Sequence, residues 1–378
     1  MRRYIFISVA IAVGLLGTVA LAQFGGGYKG PRGGEAAFTA ESPPGTNPTA
    51  TGTDAIGIGD GAVAGDAAAD DGVLAIGARS TATGDGAIAI GENTDATGAN
   101  SIAIGGNTTD ASSADATGVN SVAIGNNSLA DGNNTTALGE RADAGGGEAT
   151  ALGRTSSAAG NGSVAIGNGS SASGVQSVAI GTLSVASGED SFALGDRTDA
   201  TADRCIAIGG NSTDTDSADC SAVDSVALGQ RILADDIGEF AFASGEFAAQ
   251  SDAHTSIFVL RNSATDSTQT ELFADGSAGD ISVPSDCTIA FRINVVGRRT
   301  DADDESAAYF FEGAIDNNAG TTALVGAIGK VIIAEDTAAW DVTVTADDTN
   351  DGINVLVTGE AAKTIRWVAR AEITEVCG

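Results

Sequence analysis

Between residues 73 and 229 small and apolar residues return in one fixed order, small–aliphatic–Ala–aliphatic–Gly. The order is seen in Val73-Leu74-Ala75-Ile76-Gly77 and again in Ser121-Val122-Ala123-Ile124-Gly125. The closing glycines are Gly77, Gly91, Gly105, Gly125, Gly139, Gly153, Gly167, Gly181, Gly195, Gly209 and Gly229, spaced by 14 residues except for two steps of 20. A second glycine stands seven residues before most of them, as at Gly84, Gly118, Gly132 and Gly174. Each unit therefore holds two short extended runs and two turns, and such repetition builds a fold by stacking. Val122 and Ile124 share one face and Ala123 points the other way, which is strand parity. Glycine closes the run because a tight corner needs a residue that tolerates positive φ. Seven residues between glycines are too few for two helical turns. The array is also free of the five prolines, which stand at 31, 43, 44, 48 and 284, so nothing in it lacks a ladder donor.

Coils of this kind, stacked about 4.8 Å apart, make a narrow parallel β-roll roughly 55–60 Å long. Burial of Val and Ile is expected to drive each coil, and the alternate alanines to leave a flat face on which another backbone can close. A roll this thin, nearly without aromatic residues, predicts several rolls packed side by side.

The run Ser163-Val164-Ala165-Ile166-Gly167-Asn168-Gly169-Ser170-Ser171-Ala172-Ser173-Gly174 resembles the YadA-type head repeat of trimeric autotransporter adhesins. The resemblance spans roughly residues 54–250. It implies a left-handed parallel β-roll assembled as a homotrimer that binds host cells, matrix or a glycan receptor.

Residues 1–22 read as a secretory signal: Arg2 and Arg3, an apolar stretch from Ile5 to Leu16, and Ala20-Leu21-Ala22 before Gln23. Residues 23–53, rich in Gly, Pro, Ser and Thr, read as a leader or linker. After the repeats (54–250), residues 251–378 change character. Aromatic residues rise, and strand-like runs appear at 256–260, 288–296, 307–315, 324–333, 342–345, 353–358 and 364–373, separated by turn signals such as Asp351-Gly352. An antiparallel β-sandwich or jelly roll is predicted, with Trp340 and Trp367 in its core. This part departs from the adhesin pattern, which continues into a neck, a heptad stalk and a membrane barrel. It is similar instead to β-rich terminal domains of phage tail fibres, so the expected location is the cell surface or exterior, or alternatively a virion.

The formal charge is −32, and losing Arg2 and Arg3 with the signal would take it to −34. Such a surface excludes nucleic acid and anionic membranes as partners, and no membrane-spanning run is expected after the signal. Four cysteines fit an oxidising compartment, and proximity and strand ends favour Cys205 with Cys220 and Cys287 with Cys377. The two 20-residue steps are nearly identical in sequence, 104–115 against 208–219, which marks an internal duplication. Their extra residues are expected to bulge as side loops, making Asp110, Asp115, Asp214, Asp216 and Asp219 the candidate binding residues. No cofactor is expected. Calcium is the one ion these oxygens would suit, although their spacing matches no calcium loop.

Little points to catalysis. The single histidine, His254, lies at the junction of repeats and terminal region, and no Cys/His metal spacing exists. Asp301, Asp303, Asp304 and Glu305 cluster as paired carboxylates would for glycoside cleavage, but adjacent acids of this kind usually form a solvated turn. The chain reads as a non-enzymatic fibre.

Overall fold

The computed structural model describes residues 38–40, 47–51, 53–66, 71–109, 113–211, 217–302 and 304–378. The signal and most of the leader lie outside the described residues. Among these residues no helix occurs, and none is long and apolar enough to cross a membrane.

In each coil the tag forms one strand, as at Val122–Ile124, and the half-unit after the glycine forms a second, as at Leu129–Ala130, reduced to a single bridge at Asp143 in one coil. Both are short because a turn must fit on either side within seven residues. Successive tags pair in parallel with their equivalents: Val164 lies opposite Val178, Ala165 opposite Ala179 and Ile166 opposite Ile180. The second strands stack likewise, with Ser171 opposite Val185. The result is a parallel β-solenoid of 14-residue coils running from Ile56–Ile58 to Phe240–Ser244.

The interior reverses the expected filling. Tag alanines such as Ala123 and Ala165, and second-strand alanines such as Ala130 and Ala172, are fully buried, and Ser121 and Ser128 lie beside them. The tag aliphatics from Leu74 to Leu228 sit on the outside, none of them buried. The two strands of a coil run so close together that only Ala- and Ser-sized side chains meet across it. Many interior hydroxyls bond to the preceding corner, although those of Thr94, Ser101, Ser163 and Ser191 do not: Ser121 Oγ donates to the Gly118 carbonyl at 2.7 Å and Ser177 Oγ to that of Gly174 at 2.8 Å. These bonds remove the penalty of burying a polar group.

Close approach of the next coil bars a side chain from both glycine columns, since a Cβ at Gly125 would meet the Gly139 carbonyl, and the tag column adds a positive φ. Gly125 has φ 135°, the conformation the sequence argument required. Gly118 lies outside the left-handed region, but a Cβ built there would run into the carbonyl of Gly132 in the next coil. Close approach of backbones, not the corner, excludes a side chain at that position. Asparagines take other left-handed positions, and Asn120 Nδ2 donates to Asn134 Oδ1 at 2.9 Å in the rung above.

The terminal region is antiparallel and shares the roll's sheet. Ala253–Ala264 pairs with Phe240–Ser244, and the sheet continues through Ile365–Cys377, Cys287–Arg299, Ser306–Asn317 and Gly329–Glu335. A smaller sheet centred on Gly352–Thr358, with Asp341–Asp347 and the short Gln269–Glu271 and Ile281–Ser282 beside it, covers one face. Between them lies a core in which Trp340 and Trp367 meet edge to face at 5.6 Å, both essentially unexposed. The run expected as one strand over 324–333 is broken into Thr322–Leu324 and Gly329–Glu335, with Gly326 at φ 76° between them. Disulfides join Cys205 to Cys220 across the roll interior and Cys287 to Cys377 across adjacent strands.

Candidate functional site

The tag strands present two outward columns along the rod. One contains Ile102, Val122 and Val164, the other Ile104, Ile124 and Ile166, all partly exposed. The register is unbroken from coil to coil, so the columns form a mostly aliphatic surface, interrupted in the first column by Thr136 and Thr150. On the opposite side the second strands present Thr81, Asp95, Asp115, Ser157 and Ser171 in the equivalent column. One side of the roll is therefore largely apolar and the other mixed, since Val63, Leu129, Val185 and Leu233 share the second-strand column with the polar residues. An exposed surface this rich in Ile, Val and Leu marks a contact area.

Of the predicted side-loop acids, Asp110, Asp214 and Asp216 lie outside the described residues. Asp115 and Asp219 are strand residues, opposite Asp95 and Asp199 in the ladder. The coil strands thus keep register across both insertions, whose extra residues fall in the sequence between tag glycine and second strand. Asp219 accepts from Ser217 Oγ at 3.1 Å and from Gln250 Nε2 at 2.8 Å. Asp115 and Asp219 belong to different coils, so the structure does not bring them together. The three-residue metal-ligand grouping found among the described residues is Cys287, Glu375 and Cys377, and its two sulfurs are bonded to each other.

The acids of the 301–305 loop are engaged by cations. Arg299 pairs with Asp301 at 3.1 Å, Asp304 at 3.3 Å and Glu305 at 3.2 Å, and Lys363 reaches Glu305 at 2.6 Å. The Arg299 hydrogen bond and the Thr364 amide bring the Asp301 carboxyl down to about 2. A general acid needs a shift in the opposite direction. Asp303 lies outside the described residues.

A cluster that the sequence argument missed lies at the seam of roll and terminal sheet. Glu239 occupies the interior column that holds Ser225 and Ser121 in earlier coils, and it is 3% exposed. Ser256 Oγ donates to its Oε1, and the amides of Asp235 and Asp236 donate to its Oε2 at 3.1 and 3.3 Å. His254 stands between two carboxylates, with Nε2 3.8 Å from Glu239 Oε1 and Nδ1 3.9 Å from Glu375 Oε1. Its Nδ1 donates to the Ser251 carbonyl at 2.9 Å. Burial pushes Glu239 up to about 7, and burial together with the charges of Glu239, Asp235 and Asp236 pushes Glu375 up to about 8. Burial lowers the His254 pKa. These groups line a cavity of about 260 Å³. The sequence signal was available: a glutamate stands where every other coil places Ser, Thr, Ala, Val or Cys.

The profile of the YadA head domain repeat (2 copies) matches the chain at 74–94, 82–108, 116–142, 144–170, 172–198 and 186–212. The chain therefore carries YadA head repeats over residues 74–212. No curated protein matches it. Among solved structures it is similar to the tailspike protein gp49 from Acinetobacter baumannii bacteriophage Fri1, a capsular polysaccharide depolymerase. That match has 10% identity over 85% of this chain and 62% of that one, with a TM-score of 0.25. The Acinetobacter baumannii phage AM24 tailspike protein matches at 9% identity over 91% and 77% of the two chains, with a TM-score of 0.21. The chain spans less than two thirds of the gp49 tailspike, and scores this low carry no argument about fold or activity.

Proposed function

We propose that this chain, built on YadA head repeats, is a non-enzymatic attachment fibre that works as a homotrimer on a cell surface or outside the cell. The observation that carries the reading is the pair of aliphatic columns on one side of a roll whose interior is already filled by alanine and serine. A side chain such as Ile166 cannot turn inward, so water is excluded from it only by another chain. Covering what each such side chain still exposes contributes on the order of 1 kcal/mol, part of the roughly 1.5–3 kcal/mol of its full burial. Association through the columns would leave the opposite side of the roll and the terminal region facing outward for a cell, matrix or glycan receptor.

The non-enzymatic part of the reading is supported by the 301–305 loop, whose described acids are paired with Arg299 and Lys363. The insertions at the duplicated coils read as solvated spacers. A phage fibre that binds a host receptor is the second reading, favoured by the antiparallel terminal sheet that follows the repeats directly.

Replacing Ile166 by Asp tests the interface. The variant is expected to weaken trimer association at least tenfold, about 1.4 kcal/mol, in sedimentation equilibrium, with the β-rich circular dichroism spectrum retained. An unchanged oligomer would remove the aliphatic columns as the contact surface.

A further inference from the structure

Three elements far apart in the chain bring ionisable groups to one point at the seam. His254 lies directly opposite Glu375 in the ladder between Ala253–Ala264 and Ile365–Cys377, and directly opposed side chains share a face. Glu239 immediately precedes Phe240–Ser244, which pairs with the strand that carries His254. The cavity they line also takes in Asp235, Asp236 and Asp252, and among the described residues no lysine or arginine lines it. Five carboxyl groups therefore gather around one imidazole, with no basic side chain in the lining.

Most of these acids are satisfied by their surroundings. Asp252 accepts from the amides of Phe247, Ala248 and Ala249, and Asp236 from the amide and hydroxyl of Ser282. Glu239 is fixed by Ser256 and by the amides of Asp235 and Asp236. Glu375 has no such support. Its Oε1 lies 3.3 Å from Cys377 Sγ, which in the disulfide has no hydrogen to donate. Among the described residues no N–H or O–H donates to this carboxyl, although its side chain is only 4% exposed. A carboxyl buried without a partner is costly, and nearly all buried polar groups have one.

The ring of His254, 7% exposed, leaves a second position open. A carbonyl can only accept, so the bond from Nδ1 to Ser251 places the proton on Nδ1 and the lone pair on Nε2. Among the described residues Nε2 makes no hydrogen bond, and it faces Glu239 Oε1 at 3.8 Å, too far for one. Two acceptors thus confront each other. Zinc binds imidazole nitrogen and carboxylate oxygen at about 2.0–2.2 Å each, so a single ion spans this separation. A backbone carbonyl on the far nitrogen is also the usual support of a metal-bound histidine.

We propose that the seam cavity binds a divalent transition-metal ion of the zinc class, with His254 Nε2 and Glu239 Oε1 as ligands and Glu375 as the third donor. Glu375 Oε1 stands 3.9 Å from Nδ1, on the other side of the ring. It reaches the ion by turning about its own side-chain bonds, which no hydrogen bond restrains. The cavity of about 260 Å³ has room for water at the remaining position. Imidazole beside carboxylate selects zinc over calcium, which takes oxygen donors. The ion ties the last coil to two strands of the terminal sheet. All three donors come from one chain, so the inference does not depend on the trimer reading.

The test is calorimetric titration of the full chain with Zn²⁺ at neutral pH, after chelator treatment and in excess Mg²⁺ to occupy its many exposed acids. The expected result is one tight Zn²⁺ site per chain and a thermal unfolding midpoint that rises with zinc. Glu375→Gln, which keeps the side-chain shape, and His254→Ala are each expected to weaken zinc binding at least about tenfold. The buried fluorescence of Trp340 and Trp367 should be retained, and Glu375→Gln decides the matter if the histidine variant does not fold. The inference is overturned by no zinc uptake in excess Mg²⁺, by Ca²⁺ binding more tightly than Zn²⁺, or by a zinc affinity that Glu375→Gln leaves unchanged.

Discussion

Alanine in place of Gly118 is expected to break the rod at that rung. The added Cβ would meet the Gly132 carbonyl in the next coil, and backbone cannot rotate aside as a side chain can. Parallel pairing fixes the coils on both sides, with Val122 held against Thr136 and Asp115 against Leu129. Relief therefore requires parting two rungs and losing the hydrogen bonds between them. A cost of roughly 3 kcal/mol or more follows, at or above the top of the usual overpacking range. Gly245 is the matched control, since a Cβ there meets nothing within 4 Å, and its alanine variant should change stability by no more than about 0.5 kcal/mol. Urea unfolding of the two variants checks the contrast. Equal stabilities would mean that backbone approach does not explain the second glycine column.

Glutamine in place of Glu375 is expected to stabilise the protein at pH 8.5 and to leave it unchanged at pH 4. The folded pKa of Glu375, raised from 4.5 to about 8, makes the folded state the tighter proton binder. Its contribution is thus fully favourable below pH 4.5 and is lost as pH rises through 4.5 to 8. Glutamine imitates the protonated carboxyl at every pH, so the difference between variant and wild type grows across that window to roughly 3–5 kcal/mol. The groups facing Glu375 from the packed elements are Glu239, Asp235, Asp236 and His254. With burial lowering its pKa, His254 supplies no full positive charge at high pH to offset the carboxylates. Denaturant unfolding followed through Trp340 and Trp367 at the two pH values is the measurement. A variant no more stable than wild type at pH 8.5 would show that solvent or a counter-ion already relieves the seam.

The period, the strand parity and the parallel stacking were legible because glycine spacing constrains them directly. Which face pointed inward was not. Hydrophobicity alone ranks Ile124 above Ala123 as a core residue, but a coil closed within fourteen residues has a fixed, narrow width. The informative sign was constancy: alanine recurs at the tag centre in Ala75, Ala123, Ala165 and Ala227. The flanking positions vary among Val, Ile, Leu, Thr and Phe, a range of volumes that a gap of constant width cannot accept. The antiparallel terminal sheet was visible in its aromatic runs and turns. Its fusion to the last coil was not, because the joining ladder between Phe240 and Ile257 depends on how the chain reverses after the repeat fails. The seam cluster was hidden for the same reason, since Glu239, His254 and Glu375 meet only once that ladder forms.

The most direct test of the whole account is the mass of the intact, purified chain under non-denaturing conditions. Columns of uncovered isoleucine and valine outside an alanine-filled roll predict a particle of three chains that persists on dilution to micromolar concentration. A folded, soluble particle of one chain at that concentration would contradict it.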